Sequence, residues 1–297
     1  MNIISFFKNL FRIGNIGTIL FFLMNAYLII AIFSGGNPGK IVFIAFLYII
    51  SVLITISPIG EFILSTYVGA KIIRNPDIRD KIAPLVQNVY DKAREKTPSL
   101  PRNIILKYTE DEVSNAFALG RKTICVTKGL IESLPEDEIE GVIAHEFGHL
   151  ALHHTVIQLA IGSGNIIISL FLMFLSFLKR IAEIIGSLAG CFGRILILKI
   201  LCAAVGWVCS FLIWLWTKIC MLFFMWSSRA NEYDADKYAF EIGYGNELAT
   251  ALEDVAVAVP SRSFFEAIYS SHPDTSDRVG RLKEMERDIT LEQRLKV

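Results

Sequence analysis

The chain has 297 residues, with 29 Lys and Arg against 29 Asp and Glu and a formal net charge of zero, so it offers no electrostatic footprint for nucleic acid. Hydrophobic residues make up 53% of it and mean hydropathy is +0.50, which excludes an ordinary water-soluble globule. The length allows one or two domains.

Residues 1–12 carry Lys8 and Arg12 and no acid. Ile13 to Gly39 holds no charge, and Ile16–Phe33 is apolar throughout most of its length, long enough to cross a bilayer. That run exceeds a signal-peptide core and no A-x-A site follows it, so it reads as a retained span. Ser34-Gly35-Gly36-Asn37-Pro38-Gly39 is a turn, a second charge-free run covers 41–60, and after Glu61 a further apolar stretch reaches Ile73. Residues 1–74 are therefore expected to hold a transmembrane hairpin, with spans at about 14–34 and 41–68. Glu61 is either an intramembrane functional residue or an interfacial one. Lys71 and Arg74, close behind it, favour the interface.

Charge returns at residue 74, and 75–154 read as the first part of a soluble α+β unit. Residues 77–94 form an amphipathic helix with Ile82, Leu85, Val86, Val89 and Tyr90 on one face. Pro98 and Pro101 break it. Asn103–Tyr108 and Asn115–Val126 read as short strands, the second turning at Gly120-Arg121. Ser133-Leu134-Pro135-Glu136 has the form of a capping box, followed by His145-Glu146-Phe147-Gly148-His149 on a helix. Residues four apart share a helix face, so His145 and His149 can reach one metal ion, while Glu146 can take a proton from a metal-activated water. Zinc suits neutral imidazoles and lowers the pKa of water to about 7. The pentapeptide fixes only three positions, and a helix with a His-Glu-His surface is the competing reading. The helical context favours the metal. His153 and His154 read as solvated or interfacial.

Residues 155–226 form a second hairpin, from Thr155–Leu178 and Ile200–Trp226, joined by a small-residue connector at Ile184–Phe192. The cysteines, at 125, 191, 202, 209 and 220, contain no C-x-x-C pair and read as packing residues. The last part, 227–297, is soluble helix. Glu232 and Asp236 lie four apart on a helix ending near Gly243. Glu232 can supply a third metal ligand, with Asp236 accepting the free N–H of a ligand histidine. An acidic, solvated helix face is the competing reading, and on these residues alone it is the stronger one.

The two motifs together, His145-Glu146-Phe147-Gly148-His149 and Glu232-Tyr233-Asp234-Ala235-Asp236, resemble those of the HtpX-type membrane zinc metalloproteases and their relatives, the CAAX prenyl proteases. Asn115-Ala116-Phe117-Ala118-Leu119-Gly120 is similar to the family's N-A-F-x-x-G edge strand. His272-Pro273-Asp274-Thr275 with Arg278 and Leu282 is similar to its H-P-x-x-x-x-R-x-x-x-L signature. The motifs occur in the family's order.

The resemblance implies an α+β, mainly α fold. It comprises a zincin-like (gluzincin) unit with a small β-sheet and four transmembrane helices in two hairpins. It implies one Zn2+ per chain on His145, His149 and Glu232, Glu146 and His272 as catalytic residues, and Asp236 behind a ligand. Asn115 would orient a substrate strand, and Arg278 would hold position on the substrate side. His272 would donate to the developing oxyanion. The expected activity is cleavage of peptide bonds in misfolded membrane proteins, in stress response and quality control. The alternatives are a non-catalytic, zinc-retaining membrane scaffold, or a prenyl-protein processing protease, for which the chain looks too short. Four spans put both termini and the catalytic unit on one side, and Lys8, Arg12, Lys71 and Arg74 place that side in the cytoplasm of a bacterial-type inner membrane. Lys179, Arg180, Arg194 and Lys199 run against that count.

Overall fold

Proline and glycine punctuate the first third of the chain. In the computed structural model, which describes residues 15–157, 166–191, 196–254 and 275–295, α1 (Ile16–Ser34) turns at Gly35 into α2 (Pro38–Thr55). The Asn37 side chain caps the first N–H groups of α2, with Pro38 at a position where a missing N–H costs nothing. The stretch expected to hold the second span, 41–68, is not one helix. Helix α2 ends at Thr55, and α3 (Pro58–Tyr67) starts afresh with Ser57 accepting the N–H of Ile59. Proline inside a helix removes a backbone donor and clashes with the preceding turn, so the break falls at Pro58.

The soluble unit follows. A short strand β1 (Lys71–Ile72) leads into α4 (Pro76–Lys96), whose predicted apolar face, Ile82, Leu85, Val86, Val89 and Tyr90, is buried. Three further strands are β2 (Ile105–Thr109), β3 (Ala116–Leu119) and β4 (Thr123–Thr127). They form one mixed sheet in the order β1-β2-β4-β3, with β2 and β4 parallel and the other pairs antiparallel. β3 is thus an edge strand, held only on its β4 side. Phe117 and Leu119 alternate in that ladder with Ala116 and Ala118, so alternate backbone groups of β3 point outward.

Next come α5 (Lys128–Ser133) and α6 (Glu136–Ala151). The predicted capping box is absent. Pro135 occupies the cap position without a side-chain bond, while the Ser133 hydroxyl pairs with that of Ser114 at 3.0 Å. Glu136, Asp137 and Glu138 in the first turn favour the positive end of the helix dipole instead.

Helix α7 (Ile166–Cys191) runs through most of the stretch read as a connector, since small residues and the separate glycines at 186 and 190 weaken a helix without breaking it. Helix α8 (Leu196–Glu241) is 46 residues long, ~70 Å at 1.5 Å per residue. It unites the last apolar run with the acidic helix that the sequence suggested as separate. It packs along α7 and α1 and, at its far end, on α6. Helices α9 (Gly245–Asp254) and α10 (Thr275–Leu295) complete the described chain. Among the described residues, three helical stretches are long and apolar enough to cross a membrane: Ile16–Ser34, Pro38–Thr55 and Lys199–Ile219. The fourth expected crossing, 155–178, falls partly outside them. The mainly helical architecture with a small sheet is as expected. Its soluble core gathers Ile82 and Val89 of α4, Ile124 of β4, Ile143 and Phe147 of α6, Ala239 of α8 and Leu248 of α9. Burying each large side chain contributes ~1.5–3 kcal/mol, which locks α6 between the sheet and α8.

Candidate metal centre

The helical spacing of His145 and His149 sets their rings edge to face, with an interplanar angle of 87°, centroids 4.7 Å apart and Nε2 atoms 3.1 Å apart. Helix α8 reaches them because position 148 is glycine. A Cβ there would lie 2.9 Å from Cα of Ala235 and 3.0 Å from its carbonyl oxygen, so any larger residue would push the two helices apart. The Tyr238 hydroxyl further fixes α8 by donating to the Ala93 carbonyl of α4 at 2.9 Å. The close approach sets Glu232 over both rings, with Oε2 3.2 Å from Nε2 of His145 and Oε1 3.4 Å from Nε2 of His149. These three residues are buried, and their ligand atoms all lie within 4.8 Å of one another.

Each imidazole has a partner on its remote nitrogen. Nδ1 of His145 lies 2.8 Å from Asp236 Oδ1. Nδ1 of His149 lies 3.1 Å from Nδ1 of His154. With Nδ1–H donated in both rings, the two Nε2 lone pairs and the Glu232 carboxylate face one another. Three acceptors converge favourably only around a cation or a shared proton. The electrostatics agree: burial and the Arg278 charge push the His145 pKa down, but Asp236 and Glu232 outweigh them and hold it up at about 9. A metal entering here must displace that proton.

Asp236 is itself held. Arg278, 1% exposed, donates to its two oxygens from Nη2 at 2.6 Å and Nε at 2.8 Å, and lies 3.4 Å from Glu232 Oε2. Burial alone would raise the Asp236 carboxyl, yet the Arg278 charge and hydrogen bonds bring it down to about 2. Arg278 is thus buried together with the acidic pair it contacts.

Glu146, between the two histidines in sequence, points to the sheet. Its Oε2 accepts the N–H of Ala118 at 2.7 Å, from the outward edge of β3. Asn115 stands just before that strand, its N–H on the Thr127 hydroxyl and its carbonyl on the Thr127 N–H. His272 lies outside the described residues.

His154 was not singled out as a site residue, and the solvated reading of it is corrected: it is 0% exposed. Helical continuation from His149 would have brought His153 onto this face. Instead α6 ends at Ala151 with Leu152 as its cap, and His153 takes a left-handed φ of 62°, swinging His154 back against His149. The one sequence signal is a second histidine just past the end of the motif helix, where a left-handed residue commonly terminates a helix.

Residues 74–286 match the description of peptidase family M48. The chain is 26% identical over 312 residues to the Protease HtpX homolog of Halobacterium salinarum, covering 90% of this chain and 99% of that protein. It is 28% identical over 301 residues to the Protease HtpX homolog of Thermococcus sibiricus, covering 91% and 94%. It is 27% identical over 257 residues to the Protease HtpX of Chromohalobacter salexigens, covering 76% and 79%. The crystal structure of S. mikatae Ste24p shares 22% identity and a TM-score of 0.46, over 87% of this chain and 61% of that one.

Proposed function

The chain belongs to peptidase family M48, and from that premise we propose that it is a membrane-embedded, zinc-dependent endopeptidase with a zincin-like catalytic unit. The observation that carries this reading is the convergence of His145, His149 and Glu232 beside the buried carboxylate of Glu146. The spacing is compatible with zinc. Tetrahedral ligands ~2.0–2.2 Å from zinc sit ~3.3–3.6 Å from each other, and the three contacts here, 3.1, 3.2 and 3.4 Å, lie close to that range.

Zinc, when bound, supplies Lewis acidity that polarises a carbonyl and lowers the pKa of water to about 7. The chain's own residues do the rest. Glu146 takes the proton of the attacking water and hands it to the leaving amine. Its bond to the Ala118 N–H fixes the carboxylate beside the edge strand. An extended substrate pairs with the outward groups of β3, aligned by Asn115. His272 donates to the oxyanion, a role worth ~2.7–4 kcal/mol where such donors have been removed. Asp236 keeps His145 in the tautomer that leaves Nε2 free to ligate, and Arg278 acts through Asp236.

The proposed topology has four crossings. The second hairpin, 155–226, is inserted between the two parts of the catalytic unit, 75–154 and 227–297, which face the cytoplasm of the inner membrane. Misfolded membrane proteins are the proposed substrates, in keeping with the HtpX-type relatives. The test is cleavage of casein and of a membrane-anchored reporter by detergent-purified protein. Activity should vanish with a chelator and return with Zn2+. Chelator-insensitive cleavage, or zinc binding with no cleavage of any unfolded protein, would overturn the reading.

A further inference from the structure

Helix α3 has two unlike faces. Its inner face is fastened to the sheet. The Glu61 carboxylate accepts the N–H of Arg121 at 3.2 Å and the hydroxyl of Thr123, and the Lys107 ammonium contacts the Ser65 hydroxyl. Leu64 and Val68 pack on Ala70, Leu119 and Cys125. Glu61 thus sits at the sheet, neither lost in the bilayer nor free in solvent.

The outer face is apolar and open. Ile59, Phe62, Ile63 and Tyr67 are 59–68% exposed, and their spacing puts them on one side of the helix. Thr66 is the polar residue among them, and it spends its hydroxyl on the Phe62 carbonyl at 2.8 Å. Ile72 on the outer strand β1 extends the patch at 70% exposure. Exposed Lys71 and Arg74 flank it. Ten residues are too few to cross a bilayer. Yet the patch is continuous with one that does: α2, a candidate span, ends at Thr55 with Phe46, Ile49, Leu53 and Ile54 exposed.

We propose that α3 lies flat in the headgroup–acyl boundary of the membrane, with Ile59, Phe62, Ile63 and Tyr67 in lipid and its inner face holding the catalytic sheet at a fixed height. A charged flank, an apolar face and attachment to a span are what an interfacial helix requires. The consequence for the site follows from chain geometry. Glu61 clamps the turn at Arg121 and Thr123, and Ala118 is next on β3 to Leu119, the ladder partner of Thr123, which puts it within ~10 Å of the clamp. The edge strand and Glu146 are therefore held just above the bilayer surface, and the site takes chain segments as they leave the membrane. This second part rests on the peptidase reading; the position of α3 does not.

The experiment uses the full chain in vesicles of phosphatidylethanolamine and phosphatidylglycerol, with nitroxide labels at position 62 or 63 in a cysteine-free background and a control label at position 80 on α4. Labels at 62 and 63 should favour collisions with oxygen over a water-soluble nickel chelate, and the control should show the reverse. Nickel-dominated labels at 62 and 63, or dipolar coupling between labels on two copies shielded from both agents, would overturn the placement. In a second arm, the double substitution Phe62→Asp and Ile63→Lys should leave casein cleavage intact. Cleavage of a membrane-anchored reporter should fall about tenfold or more, as expected when two apolar side chains lose their seat in lipid. Equal loss on both substrates, or none on the reporter, would overturn the second part. Failure of the peptidase reading would appear separately, as no casein cleavage by the unmodified protein.

Discussion

Arg278 grips both carboxylate oxygens of Asp236, at 2.6 and 2.8 Å, and does so with 1% of its surface exposed. Through Asp236 it reaches Nδ1 of His145, so a residue on the last helix controls the orientation of a ring on α6. Removing one partner of a buried pair leaves the other charge uncompensated. Arg278→Ala should lower unfolding stability by ~3–5 kcal/mol, measured by denaturant titration of the metal-free protein. An unchanged midpoint would mean that the pair forms only on metal binding.

Glu146→Gln should keep zinc and lose proteolysis. The amide can still accept the Ala118 N–H, so the local geometry survives while the base is removed. Metal content by plasma emission, alongside casein cleavage, separates the two. Retained cleavage would move the base elsewhere.

His154→Ala should weaken zinc binding ~10–100-fold, the usual effect of losing a group that orients a ligand histidine. Competition with a chromophoric chelator reads this directly. His154→Asn restores an acceptor and should recover part of the loss, whereas His154→Phe restores only volume and should not. Equal recovery by both would assign His154 to packing.

Gly120 has φ +57°, and a Cβ there would lie 2.3 Å from Oε2 of Glu61. Gly120→Ala should therefore destabilise by more than the ~1–2 kcal/mol of left-handed backbone strain alone. In a Glu61→Ala background the same substitution should cost less, because only the backbone strain remains. Additive costs in that double-mutant cycle would show that the carboxylate moves aside freely.

His272→Ala should cut turnover ~100–1,000-fold if the side chain donates to the oxyanion, with zinc content unchanged. Loss of zinc would make it a ligand, and full turnover would leave it a turn residue before Pro273.

What could be read in advance was local. The pairing of His145 with His149 needs only the rise of a helix, and the buried face of α4 needs only its period. The break at Pro58 was written in residue type, yet the apolar run on both sides of it masked the end of one helix and the start of the next. The unbroken α8 was hidden for the opposite reason: hydropathy drops sharply after Trp226, but a change of surroundings does not interrupt backbone hydrogen bonding. The place of His154 depends on one left-handed residue at His153, which side-chain periodicity does not report. The grip of Arg278 on Asp236 joins residues 42 apart, and that contact depends on how α10 packs against α8.

Helix α8 has a mechanical consequence. Glu232 is thirteen residues beyond Ile219, the end of the apolar stretch, ~20 Å along the same uninterrupted helix. A rod of this kind carries torque. If its apolar length rolls by ~20°, a side chain ~5–6 Å from the axis sweeps ~2 Å, several times the ~0.5 Å tolerance of a working metal site. The packing of α8 against α7 and α1 is thereby tied, through one unbroken helix, to the position of Glu232 over the two histidines.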